Sequence, residues 1–534
     1  DNAVREGFGN RTAIVARNLA GNWSETTYRD LQRHTDSIAH VLVRDLGLVT
    51  GNRVLLRGYN GPMLAAAWLA VLKAGGVAVT TMPMLRATEL QTVMQKSACR
   101  FALCDARLDA DLNTASAAYG GLARTLYWGT DAMDANATDT LNSNATDTLN
   151  ANAMDANATD SLDELMATRS DPFEAVATSS DDVCLIAFTS GTTGVPKGCM
   201  HFHRDVLVMC NGFSDTTLRL SEDDRCIGTP PLAFTFGLGG LLVFPMHARA
   251  STVLLESATP DSLLEAIAET RATVTFTAPT FYRLMSLAIE RDKARFNTTS
   301  LRQSVSAGEA LALETRSSWR HATGVEMLDG IGATEMIHIF IGASGSDVRA
   351  GAIGKAIPGY DVAILNDNLE RLPFGEVGRL AVRGPTGCRY LADARQTTYV
   401  QGGWNITGDA CSMDADGYVY FKARTDDLII SSGYNIGAPE VESAVLSHDA
   451  VAECAVIGVP DAVRFQCVKA FVVLKPSFAA SPELARAIQD HVKNTIAPYK
   501  YPRLVEFLPA LPKTETGKLQ RFRLKDSANN EAAK

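Results

Sequence analysis

The chain has few features that would organise a scaffold by covalent or metal chemistry. Its ten cysteines are scattered through 534 residues at 99, 104, 184, 199, 210, 226, 388, 411, 454 and 467, with no C-x-x-C pair and no regular framework. That spacing argues against a disulfide framework or a metal role for the thiols, and it fits reduced thiols in a cytoplasm. Runs of lysine or arginine are missing as well, and the formal net charge is −10, so a nucleic-acid surface is not expected. No Gly-Lys-Ser or Gly-Lys-Thr word closes a glycine-rich loop, which disfavours a Walker-type ATPase. The chain opens at Asp1 without Met and without a charged-then-apolar leader, the expected look of a trimmed N-terminus rather than an exported form. A membrane span is not expected either. Residues 227–246 carry no charge and are long enough to cross a bilayer, but Gly228, Pro230, Pro231, Gly237, Gly239, Gly240 and Pro245 interrupt them. A buried segment lining a pocket explains that composition better than lipid does.

What is present is ordinary globular material, 46% apolar and 21% charged, in a chain long enough for several domains. From Ile14 to Phe188 helical stretches such as Tyr28–Leu46 alternate with short apolar runs such as Arg53–Leu56 and Gly76–Val79, the pattern of α/β with parallel strands. Residues 136–161 interrupt it with a repeat, NATDTLNS then NATDTLNA then degenerate copies, which reads as an exposed insertion loop. A second α/β stretch runs from Val206 to about Leu328, with helices near Pro260–Thr270 and Thr280–Arg291 and strands near Ser251–Leu255 and Thr273–Thr277. A glycine- and β-rich region follows from Gly351 to Lys422, and a break at Asp426 precedes a small α+β unit. The expected fold class is therefore α/β. A large N-terminal domain, 1–425, combines mixed and parallel sheets packed with helices and a β-rich subdomain, and a small α+β C-terminal domain, 426–534, follows it.

The most informative word is LIAFTSGTTGVPKGCM, Leu185–Met200. An apolar strand breaks into Thr189, Ser190, Gly191, Thr192, Thr193, Gly194, Val195, Pro196 and Lys197. Glycines let backbone N–H groups converge on an anion, and hydroxyls with one lysine complete the cradle, so ATP or something of its charge is the expected guest. The alternative is a plain surface turn. Four further words are weaker taken singly. SAGEAL, Ser306–Leu311, brings backbone close to something through Ala307 and Gly308, or is a mere turn. GIGATE, Gly330–Glu335, offers a hydroxyl and a carboxylate suited to phosphate and Mg²⁺, or a solvated glutamate. WNITGD and YVYFKAR place Asp409 and Arg424 where they could hold a ribose, or form an edge strand with a surface salt bridge. PKTETGKLQR presents Lys518 in a turn, where a terminal lysine is commonly just solvated.

In their order and spacing these words resemble the adenylate-forming enzymes, the group of acyl-CoA synthetases, luciferases and peptide-synthetase adenylation domains, and they cover the chain from Leu185 to Arg521. The resemblance implies a two-step reaction: a carboxylate attacks the α-phosphate of MgATP, and a thiol, usually that of CoA, then attacks the acyl-adenylate. It implies phosphate contacts from Thr189, Ser190, Gly191, Thr192, Thr193 and Lys197, with Thr334 on the α-phosphate and Glu335 on Mg²⁺. Gly308, Glu309 and Ala310 would lie along the adenine, beside Asp329, Gly330 and Ile331, while Asp409 and Arg424 hold the ribose. Many members place a tyrosine where this chain has Ile331. Lys518 would bridge carboxylate and α-phosphate, stabilising the charge that develops there. For the second step the C-terminal domain would turn about Asp426, with Ser432, Gly433, Tyr434 and Asn435 facing the pantetheine arm.

PLAFTFGLGG, Pro231–Gly240, sits where that family lines its acyl pocket, and Phe234 with Phe236 would present aromatic faces to a flat ring. Ala307, Gly332 and His338 complete the expected substrate contacts, although His338 serves equally well as a buried structural histidine. With CMHFHRDVL, DGIGATEMIHIF, GPTGCRYLAD and APYKYPR, the chain looks like the benzoate and 2-aminobenzoate CoA ligases. The expected partners are a small aromatic acid, ATP and CoA, with no nucleic acid and no membrane, and a homodimer is compatible with the reading. The competing classes are a stand-alone adenylating enzyme that loads a carrier protein, a non-catalytic nucleotide-binding protein of the same fold and, less favoured, a luciferase-like oxygenase.

Overall fold

The computed structural model describes residues 1–129, 160–189, 196–424, 428–431, 434–461, 465–496, 498–513 and 519–532. The chain falls into two compact units. One comprises Asp1–Cys210, Leu220–Ala258 and Cys388–Ala394, and the other Asn211–Arg219, Thr259–Gly387 and Arg395–Lys534.

Among the described residues the first unit holds ten strands: β1 Thr12–Arg17, β2 Trp23–Thr27, β3 Arg53–Arg57, β4 Val77–Thr81, β5 Phe101–Asp105, β6 Arg124–Trp128, β7 Val183–Thr189, β8 Lys197–Phe202, β9 Arg225–Gly228 and β10 Ser251–Leu255. Six form a sheet in the order β6-β5-β3-β4-β7-β8, parallel except for β8, which runs antiparallel to β7. A parallel sheet covered on both faces needs continuously apolar strands, and β4 (VAVTT) and β5 (FALCD) are buried along their whole length. In the other sheet of this unit β10 lies parallel to both β1 and β9, and β2 closes antiparallel on β1. The helix expected over Tyr28–Leu46 starts at Tyr28, where Thr27 and Asp30 make a capping box, but gives way after His40 to a π-helical turn, Val41–Asp45.

A buried arginine ties the carboxyl ends of this sheet. Arg57, 1% exposed, donates to the carbonyls of Leu108, Met82, Pro83 and Leu85 at 2.7–3.3 Å. Burial pushes its pKa down from the ordinary guanidinium range, and the four carbonyls replace the water it has lost. The charge-free stretch is interior, as its composition implied. Thr235–Leu238, Gly239–Val243 and Phe244–Ala248 follow one another as short α, π and α turns, and Leu232, Leu238 and Leu242 face Leu64 and Trp68 across an apolar gap. Among the described residues no helix is long and apolar enough to cross a membrane. The repeat at 136–161 lies outside the described residues except at its end, where Ser161 is not loop but the N-cap of Leu162–Ala167, accepting from the Glu164 N–H.

The second unit adds β11 Val274–Thr277, β12 Gln303–Ala307, β13 Met327–Gly332, β14 Ile339–Gly342 and β15 Lys355–Ala356. Of these β11, β12 and β13 are parallel, and β14 and β15 return antiparallel. Helices Pro260–Thr270 and Pro279–Arg291 fall where the sequence places them. The β-rich region is a five-stranded sheet of β16 Asp361–Leu365, β17 Gly378–Arg383, β18 Val400–Gln401, β19 Trp404–Met413 and β20 Val419–Arg424.

The α+β end comprises β21 Leu428–Ser431, β22 Tyr434–Gly437, β23 Val451–Asp461, β24 Phe465–Leu474 and β25 Leu504–Phe507. Helices Ala438–Leu446 and Pro482–Thr495 pack there on a core that includes Ile436, Val441, Val445, Val456, Val468, Ile488 and Val492. The guanidinium of Arg283, on the helix Pro279–Arg291, is buried against this end of the chain and donates to the carbonyls of Val451 and Ala452 at 2.9 and 2.6 Å.

All ten cysteines are free thiols and nine of them are buried. Burial pushes Cys99 up to about 12, so at neutral pH it stays protonated and weakly reactive.

Candidate active site

In the first unit the described ends of the glycine-rich word are β7 and β8, which pair antiparallel. Thr189 stands directly opposite Lys197 across the ladder, so the two described ends of the loop face each other. Ser190, Gly191, Thr192 and Thr193 lie outside the described residues. The Thr189 hydroxyl is buried with no hydrogen-bond partner among the described residues, an arrangement that suits an incoming acceptor such as a phosphate oxygen. Lys197 points its ammonium at Tyr390, donating from Nζ to Oη at 2.9 Å. One residue earlier, the Pro196 carbonyl accepts from Lys96 Nζ at 3.1 Å, and Lys96 is also ion-paired with Asp393. The segment GPTGCRYLAD thus reaches β8 from nearly two hundred residues away, a link that no local pattern signals. Phe234 and Phe236 are half-buried on either side of Thr235, at the start of the short helix Thr235–Leu238.

In the second unit the parallel pairing of β12 and β13 sets Ser306 beside Asp329 and Ala307 beside Gly330. Gly308, Glu309 and Ala310 therefore leave the sheet next to Ile331 and Gly332. Glu309 has a structural engagement that the sequence did not reveal: its Oε2 accepts from the backbone N–H and hydroxyl of Thr280 at 3.2 and 2.7 Å, at the start of Pro279–Arg291, where a carboxylate suits the helix dipole. Gly332 is required by the tight return into β14, since a Cβ there would lie 2.8 Å from the His338 carbonyl oxygen.

Thr334–Met336 form a 3₁₀ turn and Glu335 is buried. The next residue, Ile337, holds φ +66°, a conformation that costs a β-branched residue about 1–3 kcal/mol and that concentrates at functional turns. His338 is buried with its ring 5.4 Å from that of Phe213, which lies in the π-helical stretch Cys210–Leu218. Nothing in the sequence links Phe213 to this site, because a residue 125 positions away carries no periodic signal toward a loop histidine.

Burial pushes the Asp329 carboxyl up to about 7, offset in part by Arg316 and by the Gly330 N–H that it accepts at 3.1 Å. The folded carboxyl thus keeps its proton to about pH 7, whereas an unfolded one releases it near about 4. The folded state binds the extra proton between those values, so this contribution is fully present at the acid end and is lost as pH rises through about 7. Thermal melts of Asp329→Asn across that window are expected to fall less steeply with pH than those of the parent. Parallel curves would remove Asp329 as the source.

Asp409 and Arg424 stand directly opposite each other on β19 and β20. Arg424 Nη1 donates to Asp409 Oδ1 and to the Thr407 carbonyl, each at 3.0 Å. Gly408 makes this approach feasible. It sits at φ +79°, and a Cβ there would lie 2.8 Å from Arg424 Nη2. The pair is thus not a loose surface salt bridge, since Asp409 is only 8% exposed.

Asp426, Ser432, Gly433 and Lys518 lie outside the described residues, and of Tyr434 only the backbone, in β22, is described. Of the residues flanking 514–518, Lys513 bridges Leu519 and is ion-paired with Glu453 of β23. Among the described residues no group of three or more His, Cys, Asp or Glu side chains could hold a metal ion by itself. Thr334 and Glu335 nevertheless supply hard oxygens, and these fit Mg²⁺, which commonly takes one or two carboxylates and draws its other ligands from substrate phosphates and water.

The sequence profile of the AMP-binding enzymes matches residues 2–390, and that of the AMP-binding enzyme C-terminal domain matches residues 440–518. A benzoate–CoA ligase of Thauera aromatica is 33% identical over 528 residues, 96% of this chain and 95% of that protein. Among solved structures, the anthranilate CoA ligase AuaEII in complex with anthranoyl-AMP superposes with a TM-score of 0.88 at 32% identity, covering 99% of this chain and 96% of its own. A benzoate CoA ligase from Burkholderia xenovorans LB400 gives 0.83 at 29% identity, covering 98% of each chain. The chain belongs to the AMP-binding enzymes, the adenylate-forming group in which these relatives carry the names of CoA ligases.

Proposed function

We propose that the protein is an aryl-CoA ligase acting on benzoate or, by preference, 2-aminobenzoate. The carboxylate oxygen of the acid attacks the α-phosphorus of ATP, the bond to the β-phosphate breaks, and diphosphate leaves. The thiolate sulfur of CoA then attacks the acyl carbon and AMP departs with the electrons of the acyl–oxygen bond. The observation that carries this reading is likeness along almost the whole chain to a ligase solved with anthranoyl-AMP, joined to the presence of Lys197, Glu335, Asp409, Arg424 and Lys518 in one sequence.

In this reading Thr189, the loop after it and Lys197 meet the phosphates, and Thr334 meets the α-phosphate. Glu335 is a ligand of Mg²⁺, which supplies charge neutralisation on the phosphates when bound. Gly308, Glu309, Ala310, Asp329, Gly330 and Ile331 border the adenine, and Asp409 and Arg424 take the ribose. Phe234, Phe236, Ala307, Gly332 and His338 contact the acid. Asp426 serves as the hinge of a C-terminal domain over 426–534, with Ser432, Gly433 and Tyr434 along the CoA arm.

Incubation with MgATP, CoA and a panel of benzoate, 2-aminobenzoate, hydroxybenzoates, a cinnamate and a fatty acid, followed by mass spectrometry, tests the proposal. Aryl-CoA with equimolar AMP is the expected result. Adenylate or AMP without thioester would transfer the reading to a carrier-loading enzyme, and preference for the fatty acid would overturn the aromatic assignment.

A further inference from the structure

The geometry points to Tyr390 as a positioning residue for Lys197, an inference that rests on the phosphate role proposed for that lysine. Residues 389–391 lie along β8 through a single antiparallel bridge. The Met200 N–H donates to the Arg389 carbonyl at 2.7 Å, the Leu391 N–H donates to the Gly198 carbonyl at 2.8 Å, and Tyr390 sits opposite Cys199 in an antiparallel bridge. Side chains alternate along a strand, so Tyr390 shares a face with Cys199 and with Lys197, its diagonal neighbour two positions along β8. Its hydroxyl accepts from Lys197 Nζ at 2.9 Å, and the ammonium lies 4.9 Å from the ring centre.

Tyr390 is only 6% exposed, and a buried tyrosine hydroxyl needs a polar partner. Lys197 meets that need while its own four-carbon stem loses rotamer freedom before any anion arrives. A free lysine would surrender that freedom on binding, so a tethered one binds phosphate more tightly. The tether is itself anchored, because Lys96 joins the Pro196 carbonyl to Asp393, three residues beyond Tyr390. The segment 388–393 thus fixes the lysine from both the side-chain and the main-chain side. Tyr390 touches neither the nucleotide nor the acid in this scheme and acts through Lys197 alone.

Calorimetric titration with α,β-methylene-ATP and Mg²⁺, which needs no acid and no turnover, reads the effect in four proteins: the parent, Tyr390→Phe, Lys197→Ala and the double variant. Tyr390→Phe keeps the ring and loses the acceptor. It is expected to weaken binding by about 5-fold when Lys197 is present and by less than about 2-fold when it is alanine. Tyr390→Leu removes the ring as well and is expected to reach about 10-fold. Thermal melts of each variant verify that it is folded.

A residue that merely packs the fold would cost the same in both Lys197 backgrounds, and equal costs overturn the inference, as does no cost with Lys197 in place. If Lys197→Ala itself leaves binding unchanged, the phosphate role proposed for the lysine fails and the tether has no function. That outcome is distinct from a strong Lys197 effect without coupling to Tyr390.

Discussion

Lys518→Ala is expected to lower the rate of adenylation by about 10²–10³-fold, because a fixed cation facing charge that develops between carboxylate and α-phosphate is worth that much in a water-poor site. Exchange of labelled diphosphate into ATP, with 2-aminobenzoate as the acid, reads this step alone. Formation of the thioester from supplied 2-aminobenzoyl-AMP and CoA should persist near the parental rate, since the bond to phosphorus already exists in that substrate. The contrast between the two half-reactions is the diagnostic quantity. Equal losses in both would mean that the lysine supports the fold of the C-terminal stretch, where the nearby Lys513 bridges Leu519 and is ion-paired with Glu453.

Asp409→Ala is expected to reduce kcat/KM for ATP by roughly 10²–10⁴-fold, through two charge-assisted hydrogen bonds to the ribose hydroxyls at about 1.5–3 kcal/mol each. Asp409 is also the carboxylate partner of Arg424, and its side chain is 11% exposed against 44% for the arginine. Removing it therefore leaves a cation that solvent can still partly reach, which limits the structural penalty. Comparing ATP with its 2′-deoxy and 3′-deoxy analogues separates recognition from folding. The parent should favour ATP over both, and Asp409→Ala should lose most of that preference. If the preference survives intact, the ribose contact lies elsewhere.

Glu309 illustrates why the role of an individual residue was harder to read than its neighbourhood. The word SAGEAL marks a turn at the end of a strand, and the turn is there, beside GIGATE as parallel pairing requires. Its glutamate engages Thr280 at the start of a helix 29 residues upstream, a contact that no spacing rule could supply. Residue 161 shows the opposite error. A composition-based reading ended the repeat at Ser161, yet that serine already caps the next helix, because a cap is fixed by one side chain and one N–H rather than by the average of a window. The π-helical turn after His40 likewise escapes a 3.6-residue pattern, since it is defined by i→i+5 backbone hydrogen bonding rather than by residue type.

The sequence by itself determined the fold class, the parallel strands with their fully apolar runs, the interior fate of the charge-free stretch and the words that carry phosphate, carboxylate and lysine. These are local signals, in which period, turn chemistry and composition act over ten residues or so. Only the tertiary structure decided what each of those side chains leans on: Tyr390 on Lys197, Phe213 on His338, Thr280 on Glu309, and Arg424 across Gly408 on Asp409. The first three contacts join residues 29 to 193 positions apart. The last depends on strand register and on a backbone conformation that glycine adopts readily. Such pairings are selected by how sheets and helices pack, and packing is a property of the whole chain rather than of any window along it.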